Sequence, residues 1–230
     1  MVVVTGTDTG VGKTVLTVLL ARHLRKRGLS VAALKPVSSG SRSDARALRA
    51  ALAGLLTLDE INPWHFRAPL APLVAARMER RRVLLSDVLK YLRSMRRRFD
   101  ILLVEGAGGL LSPLGEGFNT RDLIVSLRAD AIIVCPNRLG AVNQCLLAHS
   151  ALPSAIAARS TFVLMEPPGS DAATRSNPRL LAECLNDAMI QAFPRVRGGS
   201  RAASALQQVQ VRRALARLAG WKPPSVIETV

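Results

Sequence analysis

The stretch Thr5-Gly-Thr-Asp-Thr-Gly-Val-Gly-Lys-Thr14 constrains the fold more than any other part of the chain. It follows a short apolar run over residues 1–4 and leads into Val15-Leu-Thr-Val-Leu-Leu-Ala-Arg-His-Leu24, a helix-forming segment. Buried strand, glycine turn and helix, in that order, are what a phosphate-binding loop needs. Successive backbone N–H groups curl around a phosphate, and the positive end of the helix faces it. Gly10, Val11, Gly12, Lys13, Thr14 and Val15 form that curl. Lys13 reaches the outer phosphates, and the Thr14 hydroxyl completes the shell of a bound Mg²⁺. A Cβ at Gly12 would obstruct the approach of phosphate to backbone. The spacing is unusual: five residues separate Gly6 from Gly12 where the common motif has four, and Thr7 stands at the usual first-glycine position. The plain alternative is a glycine-rich turn with an incidental lysine.

Composition narrows the class. A chain of 230 residues with 49% apolar content suits one large α/β domain with a substantial core. The first strand begins at residue 2, so no signal or transit peptide is expected. No apolar run is long enough for a bilayer, and a cytoplasmic location follows. Cys135, Cys145 and Cys184 are too few and too scattered for a disulfide framework or a zinc site, and His23, His65 and His149 show no ligand spacing. Thirty-two basic residues against sixteen acidic ones give +16, which raises a nucleic-acid or membrane partner. Residues 77–98 carry nine basic and two acidic side chains, and residues 195–222 carry seven basic and no acidic ones. The first stretch reads as one helix with Val83, Leu84, Val88, Leu92 and Met95 facing inward, so its arginines form a solvated face. Aromatics at 3% leave little for base stacking. Neither nucleic acid nor membrane is therefore expected as a partner, whereas small anionic substrates are favoured.

Strands and helices alternate further along. The helix after the loop runs to about residue 27 and stops at Gly28. Residues 30–35, 100–105, 129–136 and 160–165 read as strands, and 42–56, 141–152, 179–192 and 202–218 as helices. Residues 62–72 form a shaped, proline-rich loop, and 195–201 a loose segment. Continuous apolar strands separated by helices predict a single domain over residues 1–230, α/β in class, with a mostly parallel sheet covered on both faces. The site of such a sheet lies at the carboxyl ends of its strands. Those ends here carry Lys35-Pro-Val-Ser-Ser-Gly40 with Asp44 beyond, Glu105-Gly-Ala-Gly-Gly109, and Pro136-Asn-Arg-Leu-Gly-Ala-Val-Asn143. Glu105 ends an oily strand, where a carboxylate is costly unless it meets a cation. With Thr14 and Asp44 it makes a set of hard oxygens suited to Mg²⁺. The plain alternatives are an arginine salt bridge for Glu105, a helix cap for Asp44, and a strand-end lysine reaching solvent for Lys35.

Taken together, the loop at 5–14, Lys35-Pro-Val-Ser-Ser-Gly40, Glu105-Gly-Ala-Gly-Gly109 and Arg138-Leu-Gly-Ala-Val-Asn143 resemble the dethiobiotin synthetase family. The resemblance runs in register from residue 1 to about 150, and Asn62-Pro-Trp-His-Phe66 and Ser112-Pro113 fit as well. It implies a P-loop NTPase-like fold and ATP-dependent closure of a cyclic urea from 7,8-diaminopelargonate and CO₂, in biotin synthesis. One amine captures CO₂ as a carbamate, the carbamate oxygen attacks the γ-phosphate, and the second amine displaces phosphate. By likeness, Lys35 sits between carbamate and transferring phosphate, with Lys13 as the second cation. Thr9 and Ser39 bind the substrate head, and Thr14, Asp44 and Glu105 hold Mg²⁺. Gly106, Ala107 and Gly108 join the nucleotide-binding positions. Gly140, Val142 and Asn143 open a helix whose N–H groups take the substrate carboxylate. In the family this segment comes from the partner subunit, so a homodimer is implied.

Some positions depart from the family. Gly10 stands where glutamate is frequent, and the connection from Gly40 to Asp44 is shorter than in common members. An Asn that reads adenine follows the corresponding strand in the family. Here that place holds Leu164-Met-Glu-Pro-Pro168, so base selectivity is expected to be weak or to lie elsewhere. A Gly-Glu-Ile-Pro-like segment near the base is also missing from the C-terminal part. Two alternatives stand beside this reading: a related P-loop ATPase of different substrate, and a non-catalytic basic nucleic-acid-binding protein using the 77–98 face. A regulatory ATPase of the deviant P-loop type would put a lysine where Asp8 stands.

Overall fold

The computed structural model describes residues 1–185, 188–196 and 203–220. In chain order, β1 (Val2–Gly6) leads through the glycine loop into α1 (Lys13–Lys26), and β2 (Val31–Leu34) follows. Then come β3 (Val37–Ser39), α2 (Ser43–Ala51), α3 (Leu58–Ile61) and β4 (Trp64–Phe66). Two helices, α4 (Pro72–Met78) and α5 (Leu85–Arg96), precede β5 (Ile101–Glu105). A small hairpin of β6 (Pro113–Gly115) and β7 (Phe118–Asn119) runs into α6 (Thr120–Leu127) and β8 (Asp130–Pro136). The rest comprises α7 (Ala141–Ser150), α8 (Ser154–Ala157), β9 (Thr161–Met165), α9 (Ala172–Cys184), β10 (Met189–Phe193), a 3-10 turn (Ala203–Gln207) and α10 (Val209–Ala219).

Six strands form one sheet in the order β10-β9-β8-β1-β5-β2, with every pair parallel. Successive side chains of a strand point to opposite faces, yet Val2, Val3 and Val4 are all buried, as are Leu102, Leu103 and Val104. Both faces are therefore covered, as the unbroken apolar runs predict. β1 lies at the middle, and the chain winds away from it in both directions. Residues following β1, β2 and β5 consequently meet at one side of the central loop, and those following β8, β9 and β10 at the other.

The strands read from sequence hold to within a residue or so, whereas several helices do not. The helix expected over 42–56 stops at Ala51, because Ala53 (φ 53°) and Gly54 (φ 76°) turn the backbone into the left-handed region. Leu52 and Leu56 remain fully buried all the same. The single basic helix expected over 77–98 is two helices: α4 opens with Pro72 in its first turn, where the missing N–H costs nothing, and Arg80 (φ 54°) breaks the run. Val83, Val88, Leu92 and Met95 are buried as expected, but Leu84 is 39% exposed. Within the proline-rich passage, β4 pairs in parallel with β3.

The largest correction concerns residues 179–192, read as a helix. The helix there starts earlier, at Ala172, because Asp171 and Thr174 form a reciprocal cap. Residues 189–193 instead make β10, which extends the sheet beside β9. Pairing with an open sheet edge decides this short segment against its local pattern. The helix expected over 202–218 is a 3-10 turn followed by α10, with extended Gln208 between them (ψ 120°). Ala202, and residues 197–201 of the expected loose segment, lie outside the described residues. Inside α9, Pro178 supplies no N–H for the carbonyl of Thr174. That carbonyl accepts instead from Asn137 Nδ2, at 2.9 Å. Among the described residues no helix is long and apolar enough to cross a membrane.

Candidate active site

β1 ends at Gly6, and the loop reaches α1 through Gly10 (φ 74°) and Gly12 (φ 103°), conformations that L side chains rarely adopt. Gly12 is constrained a second time. A Cβ there would lie 3.1 Å from Cε of Met165, so this glycine is where the loop packs against the end of β9. Phosphate approach is thus not the whole reason for it.

The charged residues gather on the β5–β2 side. Lys13 is buried, and its ammonium donates to the carbonyl of Asp8 at 2.6 Å. Lys35, carried past the end of β2, donates to Glu105 Oε1 at 2.8 Å and to Asp44 Oδ2. The Thr14 hydroxyl donates to the same Glu105 Oε1 at 2.7 Å. Glu105 is fully buried, and its other oxygen has no partner among the described residues. Burial, then the neighbouring Lys35 ammonium, pushes Lys13 down to about 8, against the pull of Glu105, Asp44 and Asp8. Burial works against charge on Lys35 as well, but the Glu105 and Asp44 carboxylates outweigh it and hold the ammonium above its ordinary range. Glu105 is thus matched to Lys35 and not to an arginine, and Asp44 is an ion-pair partner as well as a first-turn residue of α2.

A cavity of about 810 Å³ opens over this group. Thr9, Gly10, Gly12, Lys13, Thr14, Val15, Lys35, Ser39, Asp44, Glu105, Ala107 and Gly108 all line it. Val11 and Gly106 do not. Val11 is buried beneath the loop, and Gly106 is pressed against Thr120, whose Oγ1 would be 2.7 Å from a Cβ there. Gly140, Val142 and Asn143 stand at the start of α7 and are not brought to the cavity. A second, apolar cavity of about 260 Å³ lies at the amino ends of the strands, between Leu20, Leu24, Leu103 and Leu218, and has neither the loop nor the lysines.

Sequence reasoning missed part of the wall and its scaffold. Ser38, Ser41 and the Pro69–Pro72 turn line the cavity, and the Ser39 hydroxyl donates to the carbonyl of Leu70. Asn62, 1% exposed, donates to the carbonyl of Lys35 at 2.7 Å and accepts from the Ser38 hydroxyl. It thereby clamps the turn that carries Lys35. The proline-rich passage was the one signal for this wall, since a stiff loop needs something to shape itself around.

A glycine loop at the head of a helix, two buried lysines and a set of carboxylate and hydroxyl oxygens at the carboxyl ends of a parallel sheet define a P-loop nucleotide-binding protein. A family model described as an AAA domain matches residues 1–197. ATP-dependent dethiobiotin synthetase from Akkermansia muciniphila is 41% identical over 150 residues, covering 65% of this chain and 70% of the relative. The enzyme of that name from Anaeromyxobacter sp. strain K is 39% identical over 196 residues, covering 83% and 88%. The chain belongs to the AAA-domain family of that model and, within it, to the ATP-dependent dethiobiotin synthetases. The MinD cell division protein of Aquifex aeolicus shares the fold, with a TM-score of 0.62 at 16% identity over 97% of this chain and 98% of that one.

Proposed function

We propose that this chain closes the ureido ring of dethiobiotin from 7,8-diaminopelargonate and CO₂, using ATP, through a carbamate and its phosphorylated form. The observation that carries the reading is the meeting of Lys13 and Lys35 with Thr14, Asp44 and Glu105 in one cavity. Carbamate and triphosphate repel one another, so bringing them together requires fixed positive charge in a site that excludes water. The bare second oxygen of Glu105, with the Thr14 hydroxyl beside the first and Asp44 on the same lysine, fits a hard divalent cation. Thr14, Asp44 and Glu105 would hold Mg²⁺, whose contribution when bound is positive charge on the phosphates.

The remaining steps fall to the chain's own groups. The backbone N–H groups of Gly10, Val11, Gly12, Lys13, Thr14 and Val15 cradle the phosphates, with Gly106, Ala107 and Gly108 beside them. Lys13 exchanges the Asp8 carbonyl for an outer phosphate oxygen. Lys35 bridges the carbamate oxygen and the transferring phosphate, neutralising both as the new O–P bond forms and the bond to ADP breaks. The second amine then attacks the carbamoyl carbon, phosphate leaves, and the ring is closed. Thr9 and Ser39 hold the diamine end of the substrate. Alignment of this kind lowers a barrier by up to about 7–11 kcal/mol.

Gly140, Val142 and Asn143 take the substrate carboxylate of the neighbouring subunit in a homodimer, which accounts for their distance from the cavity of their own chain. Leu139 (81% exposed) and Leu147 (63%), at the head of α7 and along it, supply apolar surface that a second copy would cover. Residues 1–230 work as one domain in this reading, in the cytoplasm, where ATP is available. The test is phosphate release from protein incubated with 7,8-diaminopelargonate, bicarbonate and Mg·ATP. Release that requires the diamine is expected, and release indifferent to it overturns the reading.

A further inference from the structure

The ammonium of Lys35 hangs from an awkward place in the chain. β2 ends at Leu34, and β3 pairs with β4 and not with the six-stranded sheet, so Lys35 sits at the joint between two sheets. Prolines at 36 and 63 supply no N–H there. The backbone of Lys35 is held instead by two successive residues at the end of α3. Its N–H donates to the Ile61 carbonyl at 2.9 Å, and its carbonyl accepts from Asn62 Nδ2 at 2.7 Å.

Asn62 is itself fixed on every side. Its N–H donates to the Leu58 carbonyl at 2.9 Å, and its carbonyl accepts from the Arg42 guanidinium at 3.0 Å. The short helix it closes is pinned at the other end by the reciprocal cap of Thr57 and Glu60. Asn62 Oδ1 accepts from the Ser38 hydroxyl at 3.0 Å, and Ser38 lines the cavity while Asn62 stands behind it. One buried amide therefore ties the Lys35 backbone to the wall of the cavity. Asp44 and Glu105 hold the Lys35 ammonium directly. In the reading above, those carboxylates are shared with Mg²⁺. During turnover, the aim of the ammonium then falls back on the backbone that carries it.

We infer that Asn62 is a positioning residue for the ring-closing reaction: its amide N–H holds the Lys35 carbonyl, and so aims the Lys35 ammonium at the reacting oxygens. The inference rests on the reading above that Lys35 bridges carbamate and phosphate. Asn62 touches neither substrate and acts only through Lys35. Its loss should therefore lower kcat and leave nucleotide affinity alone, because the loop N–H groups and Lys13 do not depend on it. Removing it should also matter little once the Lys35 side chain is gone, since there is then no ammonium left to aim.

The test combines diamine-dependent phosphate release with ATP calorimetry and backbone hydrogen exchange. Asn62→Ala should lower kcat by about 10- to 100-fold, up to the loss that a misplacement of about 1 Å can cause. The ATP dissociation constant should stay within about twofold. Ser38→Ala, which spares the bond to the Lys35 carbonyl, should change kcat by no more than about threefold, as expected for one neutral hydrogen bond. The double variant Lys35→Ala/Asn62→Ala should turn over within about threefold of Lys35→Ala alone. Asn62→Asp has nearly the same shape, keeps the acceptor for Ser38 and loses the donor, so it should fall with Asn62→Ala and carries the test if that variant does not fold. Without any substrate, exchange at residues 35–38 should quicken in Asn62→Ala and Asn62→Asp while α1 stays protected. Full kcat in either variant, multiplied losses in the double variant, or unchanged exchange overturns the inference. Release that ignores the diamine in the unaltered protein sinks the ring chemistry instead, and the exchange measurement still shows whether Asn62 holds Lys35.

Discussion

The two sides of the phosphate loop are built on opposite principles. Toward β5 and β2, the Lys35 ammonium holds two carboxylates within hydrogen-bond reach, one of them wholly out of water, and the Lys13 ammonium is buried nearby. Toward β9 and β10, neutral amides satisfy one another and orient a single carboxylate. A buried ion cluster gives up much of its Coulomb energy to desolvation, so it is poor cement. A saturated amide network costs little to bury and is stiff. The first arrangement suits a place where charge moves, and the second a place that only has to stay rigid.

Single substitutions can break that contrast. Lys35→Ala should have the largest effect: turnover falls by about 10²–10³ or more, in the range for loss of a group that stabilises transition-state charge. ATP binding should survive, because the loop N–H groups and Lys13 remain. Steady-state rates with a calorimetric ATP titration check this, and near-full turnover would remove Lys35 from the chemistry. On the other side, Asn137→Ala should act on folding. It leaves the Thr174 carbonyl without the Asn137 amide and the Asn177 amide with only the Arg138 carbonyl, at a cost of about 1–3 kcal/mol in urea unfolding. Turnover at saturating nucleotide should move far less than in Lys35→Ala, and an equal loss would erase the distinction between the two sides.

Gly12→Ala probes the boundary. It imposes a left-handed backbone on alanine and a 3.1 Å approach to Met165, for about 1–3 kcal/mol. Met165→Ala in the same chain should recover the part due to contact and not the part due to φ, a split that a double-mutant cycle measures. The smallest expected effect is that of Ser39→Ala. Loss of one hydroxyl from the substrate wall should raise the diamine KM by about three- to tenfold, with the ATP dissociation constant unchanged. A change in ATP affinity instead would move Ser39 out of the substrate wall.

The charged side was largely legible in the amino-acid order, and the amide side was not. Lys13 and Thr14 follow the glycine loop at the head of α1, and Lys35 and Glu105 sit at strand ends that betray themselves by a sudden polar residue after an apolar run. Such a residue is expensive there unless it works. Asn137 also follows an apolar strand, but its bond to Asn177, forty positions away in sequence, is not legible from that place. The same holds for Asn62, whose clamp on Lys35 spans the fold. β10 escaped for a related reason: Met189 is exposed while Gln191 is buried, so its polarity pattern follows the edge of a sheet that local spacing does not reveal. The break at Arg80, and the Ala53 half of the one after Ala51, are left-handed turns at residues with no preference for that backbone, whereas Gly54 was a signal that could have been used.

Pro178 makes position 178 a trap for anyone trying to harden this protein. Swapping a mid-helix proline for alanine ordinarily gains about 3 kcal/mol of helix stability. Here the restored N–H would compete for the Thr174 carbonyl and turn loose the Asn137 amide that now fills that vacancy. A variant hardened within α9 would then loosen the network that ties α9 to the ends of β8 and β9, so a gain inside one element is offset in the contacts between three.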